Sequence, residues 1–117
     1  MIIGVGIDMV KIEKIKSAIK RFGEDFLKRV FNEKELENIS EANKIYYQRL
    51  AARFAAKEAI IKALSKNESL TLKDILILNR QNGAPYCEFK KKLNVEIFLS
   101  ITHIEDYAVA CAIAQKK

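Results

Sequence analysis

The run RFAAKEAIIKAL, residues 53–64, sets Glu58 between two lysines inside a stretch of Ala, Phe, Ile and Leu that reads as a helix built to be buried. On that helix Ala51, Ala55, Glu58 and Lys62 follow one another at spacings of four, three and four and so share one stripe. Leu50, Phe54, Ile61 and Leu64 form another. A carboxylate and an ammonium therefore share a face walled by small side chains. Taken by spacing alone this is a commonplace Glu-to-Lys pair, worth about 0.2–0.5 kcal/mol on an exposed face. A second carboxylate, Asp8, follows Gly4 and Gly6 on one face of an N-terminal strand, which leaves room beside it for a ligand or a neighbouring backbone. Taken alone, it reads as a turn or N-cap residue. The two carboxylates together suit a metal–phosphate site, because Mg²⁺ takes only one or two protein carboxylates and fills its other positions with water and phosphate oxygens.

The remaining reactive residues are few. His103 is the only histidine and stands where a strand passes into a turn; a lone histidine is more often structural than catalytic. Cys87 and Cys111 lie far apart without CxxC spacing, as expected of buried, reduced thiols in a cytoplasmic protein. The chain has no HExxH, Cys/His cluster, P-loop or nucleophile elbow, so zinc, Walker-type ATP binding and serine-hydrolase chemistry have no support.

The elements that must position these groups alternate in type. Ile3, Val5 and Ile7 interleave with Gly4, Gly6 and Asp8 in a strand expected to end at Asp8, with one apolar face and one face stripped of side chains. Residues 11–30 carry Ile12, Ile15, Ile19, Phe22, Phe26 and Val30 on one helical stripe, broken or bent at Gly23. A short helix over residues 32–40 follows an Asn32 cap with Glu35 three positions on. The main helix is expected from about Asn43 to Leu64. Residues 74–78 and 86–89 flank QNGAP as a hairpin, and residues 95–101 and 107–114 alternate as two strands around a turn at 102–106. In the last strand Ala108, Ala110, Ala112 and Ala114 make an all-alanine face, fit for close packing by the Ala-rich helix. This is an α+β domain, expected to occupy residues 1–117 as a single unit with one core. MIIGVGIDMV lacks a basic leader and is too short to span a bilayer, so neither a signal peptide nor a membrane anchor is expected. The net charge of +6 favours an acidic partner or substrate without choosing among them.

Three segments in fixed order resemble the bacterial holo-acyl-carrier-protein synthases, the small 4′-phosphopantetheinyl transferases: the GxD ending at Asp8, the signature RFAAKEA, and SITH, residues 100–103. IIGVGIDMVKIEKI, RVFNEKELE and IFLSITHIEDYAVACAI extend the resemblance over nearly the whole chain. It implies that the 4′-phosphopantetheine arm of coenzyme A is moved to a serine hydroxyl of apo acyl carrier protein, releasing adenosine 3′,5′-bisphosphate, in support of fatty acid biosynthesis. It further implies a divalent ion, Mg²⁺ or Mn²⁺, on Asp8 and Glu58, and Lys62 at the pyrophosphate. Glu35 matches a family glutamate and, with Glu58, is a candidate proton acceptor. His103 is expected to contact substrate or order the site. Arg53 opens the signature as a phosphate ligand or carboxylate partner, and Gly83 and Pro85 are expected near the nucleotide.

The chain departs from the family in two places. SKNESL, residues 65–70, stands where a longer glycine-rich loop is usual, and Gly83-Ala84-Pro85 replaces GKP, removing a lysine that would help hold nucleotide phosphate. The family also implies docking of the acidic carrier on the first helix, for which Lys14, Arg21 and Lys28, spaced by seven, are the candidates, with a solvated face as the plain alternative. It implies a homotrimer whose sites cross subunit boundaries, with Asp8, Glu58 and Lys62 from one chain and contacts near Gly83 and Pro85 from its neighbour. Two rivals remain: a small basic nucleic-acid-binding module, which leaves Asp8 and Glu58 without a role and lacks the aromatic interleaving of an RNA-binding sheet, and a non-catalytic relative of the transferases. Neither nucleic acid nor membrane is expected as a partner.

Overall fold

The computed structural model describes residues 1–37, 39–42 and 44–117. β1 (Ile2–Lys11) leads into α1 (Ile12–Phe22) and α2 (Glu24–Val30), then α3 (Glu33–Leu36) and the long α4 (Tyr46–Leu64). A 3-10 turn at Leu72–Asp74 precedes β2 (Ile75–Asn79), β3 (Pro85–Phe89), β4 (Val95–His103) and β5 (Tyr107–Lys116). Asn38 and Asn43, which the expected short and main helices included, lie outside the described residues.

Two antiparallel sheets result, one ordered β1-β5-β4 and the other the β2-β3 hairpin. The strand expected to stop at Asp8 runs on to Lys11, because Met9, Val10 and Lys11 continue the ladder opposite Val109, Ala108 and Tyr107. Asp8 is therefore a mid-strand residue and caps nothing. Gly23, at φ 57, adopts a backbone conformation that side chains disfavour and ends α1, so the expected break separates α1 from α2. The turn between β2 and β3 uses Gly83 at φ 91 in the same way.

The first strand settles which of its faces is inside. The face stripped of side chains is turned to α4, whose backbone fills the space: a Cβ on Gly4 would stand 1.7 Å from the Ala63 carbonyl oxygen, and one on Gly6 1.9 Å from that of Ala59. Ala108, Ala110, Ala112 and Ala114 of β5, all fully buried, continue this small-residue floor. The helix and sheet thus meet almost backbone to backbone. On its other side α4 buries Leu50, Ile60 and Leu64 in the same core as Phe31, Ile75 and Ile77, so it is covered nearly all round. The apolar face of β1 points away from this core: Val5, Ile7 and Met9 are each more than 60% exposed. In register they stand beside Ile113, Cys111 and Val109 of β5, and Phe98 of β4 follows Ile113. No helix among the described residues is long and apolar enough to cross a membrane.

Candidate active site

Where β1 crosses α4, the close approach permitted by Gly6 carries Asp8 to the side of the helix that bears Glu58 and Lys62. Lys62 Nζ donates to Asp8 Oδ1 at 3.1 Å and to the Ile7 carbonyl at 3.0 Å. The helix pair expected from spacing does not form: among the described residues Lys62 makes its ion pair with Asp8 and leaves Glu58 without one. Burial raises the Glu58 pKa above the ordinary carboxylate range, the Asp8 charge raises it further, and Lys62 draws it partly back. Two carboxylates that disfavour each other's charge form a place where a cation is welcome. Among the described residues no group of three or more His, Cys, Asp or Glu side chains converges, so this is a two-carboxylate site. That donor set fits Mg²⁺, which relies on water and phosphate for its other positions.

Glu35 lies elsewhere and does other work. It is 1% exposed, and its Oε1 accepts from Lys57 Nζ at 2.7 Å and from the Asn32 N–H at 3.0 Å, while Oε2 accepts from the Ile77 N–H at 3.0 Å. Its carboxylate caps α3, anchors β2 and neutralises a buried lysine. A group enclosed and engaged in this way cannot reach a substrate hydroxyl, so the geometry argues against Glu35 as the proton acceptor. Lys57 spends its three protons on Glu35, the Val30 carbonyl at 2.6 Å and the Leu72 carbonyl at 3.1 Å. Burial pushes its pKa down to about 8, with Glu35 opposing the shift. The buried partner that joins α4 to α2 and α3 is thus the other lysine of the opening motif.

Arg53, Gly83, Pro85 and His103 do come together. They line a cavity of about 280 Å³ with Arg49 and Asn79. Arg53 is nearly buried and donates to the Glu35 carbonyl and, at 3.0 Å, to Asn79 Oδ1; Asn79 Nδ2 in turn donates to the Gly83 carbonyl at 3.0 Å. The arginine therefore fixes the hairpin turn against α4. Arg49 and Asn79 were not singled out from sequence, although Arg49, Arg53 and Lys57 at spacings of four mark a cationic stripe. Arg53 projects from α4 about 140° from Glu58 and about 180° from Lys62. The carboxylate cluster and the Arg53 cavity therefore lie on different sides of one helix.

Of the basic residues expected on the first helix, Lys14 and Arg21 are exposed on α1. The break at Gly23 moves Lys28 onto α2, where it pairs with Glu24 at 3.6 Å.

The sequence profile of the 4′-phosphopantetheinyl transferase superfamily matches residues 4–112. The chain belongs to that superfamily. Its relatives include the holo-[acyl-carrier-protein] synthases of Thermodesulfovibrio yellowstonii, 48% identical over 94% of this chain and 96% of the other, and Caldicellulosiruptor saccharolyticus, 46% identical over 100% and 99%. Among solved structures, the Bacillus anthracis holo-(acyl-carrier-protein) synthase in complex with CoA (3′,5′-ADP) superposes with a TM-score of 0.85 at 29% identity, covering 100% of this chain and 99% of that one. For this phosphopantetheinyl transferase the α+β architecture expected from sequence is the observed one.

Proposed function

We propose that this transferase moves the 4′-phosphopantetheine group of coenzyme A to a serine hydroxyl of apo acyl carrier protein, releasing adenosine 3′,5′-bisphosphate, with residues 1–117 as a single catalytic domain. The observation that carries the reading is the cluster of Asp8, Lys62 and Glu58 at the crossing of β1 and α4. Asp8 and Glu58 are the ligands for Mg²⁺, with Mn²⁺ as the alternative ion. Held there, the ion would supply positive charge to offset that of the diphosphate. Lys62 uses two donors on Asp8 and Ile7, and its third is left for a diphosphate oxygen of the leaving nucleotide. Glu58, on the same face of α4, accepts the serine proton as the hydroxyl oxygen attacks phosphorus. Arg53, His103, Gly83 and Pro85 form the nucleotide-binding half of the site.

The two half-sites support a homotrimer in which coenzyme A lies between neighbours, Asp8, Glu58 and Lys62 from one chain facing the cavity of the next. The apolar row of exposed Val5, half-buried Ile113 and exposed Phe98 is the surface on which the copies would meet. Lys14 and Arg21 are the docking cations for the acidic carrier. The free thiols Cys87 and Cys111 suit the cytoplasm, and the product serves fatty acid biosynthesis.

The test is to incubate the protein with coenzyme A, Mg²⁺ and an apo carrier protein and weigh the carrier. A mass gain of one phosphopantetheine per carrier supports the reading; an unmodified carrier defeats it and leaves the non-catalytic relative.

A further inference from the structure

Three cations of α4, Arg49, Arg53 and Lys57, follow each other at spacings of four and point to the same side of the helix. Two are spent inside the protein. Lys57 is enclosed with Glu35, and Arg53 holds the Glu35 carbonyl and Asn79. Arg49 is half-buried at the cavity wall, and among the described residues its guanidinium has neither a hydrogen-bond nor an ion-pair partner. Its charge lies close enough to Arg53 to oppose the charge there. Two guanidiniums facing one cavity, one of them without a partner, repel each other until an anion sits between or beside them.

The turn Gly83-Ala84-Pro85 lines the same cavity through Gly83 and Pro85, and its exposed Ala84 offers no cation. We propose that Arg49 is the phosphate-binding residue of this cavity and takes the phosphate monoester at the ribose 3′ position of coenzyme A, supplying from the helix the charge that the turn lacks. The inference rests on the coenzyme A reading above and adds the residue that selects the phosphorylated nucleotide. A guanidinium suits this task because its planar fork meets two phosphate oxygens at once. The diphosphate is the other anionic part of the same ligand, but it belongs with Lys62. In the shared site Lys62 belongs to the neighbouring chain, and this cavity takes the nucleotide end of the ligand. Arg53, already held at both ends, acts as the positioning residue that sets the cavity wall.

The experiment compares kcat/KM for coenzyme A and for 3′-dephosphocoenzyme A, in the presence of Mg²⁺ and apo carrier protein, across the wild type, Arg49→Gln, Arg49→Lys and Arg49→Gln with Ala84→Lys. The wild type is expected to prefer the phosphorylated substrate, and Arg49→Gln to reduce that preference about 10-fold, the scale of one charge-assisted hydrogen bond. Arg49→Lys should keep part of the preference, and Ala84→Lys, on an exposed turn, should restore much of what Arg49→Gln loses. An equal fall for both substrates would place Arg49 at the diphosphate or in the fold and overturn the inference. So would a wild type indifferent to the 3′-phosphate, or a preference unchanged by Arg49→Gln, while transfer itself still upheld the enzyme reading. No transfer by the wild type would overturn both. If Arg49→Gln does not fold, the preference of Arg49→Lys decides: a value equal to that of the wild type overturns the inference, and a reduced one supports it.

Discussion

Lys62, near the end of α4, donates to Asp8 in the middle of β1 at 3.1 Å and makes no ion pair with Glu58 one helical turn behind it. The lysine thereby bridges strand and helix, balances one carboxylate, and leaves the other to be balanced by something from solution. Asp8→Asn and Glu58→Gln each keep shape while removing one negative charge. Both should fold, with thermal melts close to the wild type, and lose about 100-fold or more in transfer rate. Full activity of either at ordinary Mg²⁺ would overturn the metal assignment.

Glu58 also predicts a stability effect without metal. Its folded pKa is raised above that of the unfolded chain, so its favourable contribution is complete below the unfolded value and disappears as pH rises through the folded one. At neutral pH in the presence of a chelator, Glu58→Gln should therefore be the more stable protein, by a few tenths of a kcal/mol at this partly exposed position. The advantage should vanish as pH falls below about 4. Denaturant titrations at the two pH values check it, and a less stable variant at neutral pH would contradict it.

Gly6 predicts a larger loss. Any Cβ there meets the Ala59 carbonyl, which is helix backbone and cannot rotate aside. Gly6→Ala should cost about 1–3 kcal/mol or more and lower transfer beyond that loss, because α4 must retreat from the strand that carries Asp8. An unchanged melting temperature would show that the helix and strand separate freely.

Much of this was legible in sequence and some was not, for identifiable reasons. The alternation in β1 and the alanines of β5 fixed the strands, and GxD, KEA and the downstream lysine marked the carboxylate site. Periodicity could not tell which face of β1 was inside, because a glycine face looks empty until the helix that fills it is known. Glu35 looked reactive by motif and is found buried against Lys57, a partner distant in sequence that only tertiary contact brings to it. Asp8 looked like a cap because strand length depends on a partner strand about a hundred residues away.

Carrier docking has its own signature. Charge reversal at Lys14 and Arg21, both exposed on α1, should lower the second-order rate with carrier protein several-fold or more and flatten its salt dependence. Coenzyme A affinity should change far less. Calorimetry for the nucleotide and initial rates over a salt series separate the two, and an unaltered carrier rate would leave α1 a solvated face.

The assembly is tested by burying a charge where copies would meet. Ile7→Lys, on the exposed apolar face, should shift sedimentation equilibrium from trimer toward monomer and remove activity with it. Mixed Asp8→Asn and Arg53→Ala subunits should regain part of the activity that each lacks, because some boundaries then carry two intact halves. A fully active monomer would defeat the shared site and leave the chemistry standing.

The contact of Gly4 and Gly6 with α4 places no side chain between the strand and the helix that hold the two carboxylates. Side chains in a packed core still hop between rotamers, and this seam has no rotamers to hop. Its width is fixed by peptide groups alone. Heating should then leave the reaction centre at its working dimensions until strand and helix part together, so that activity is lost in one abrupt step with the fold and not by gradual blurring beforehand.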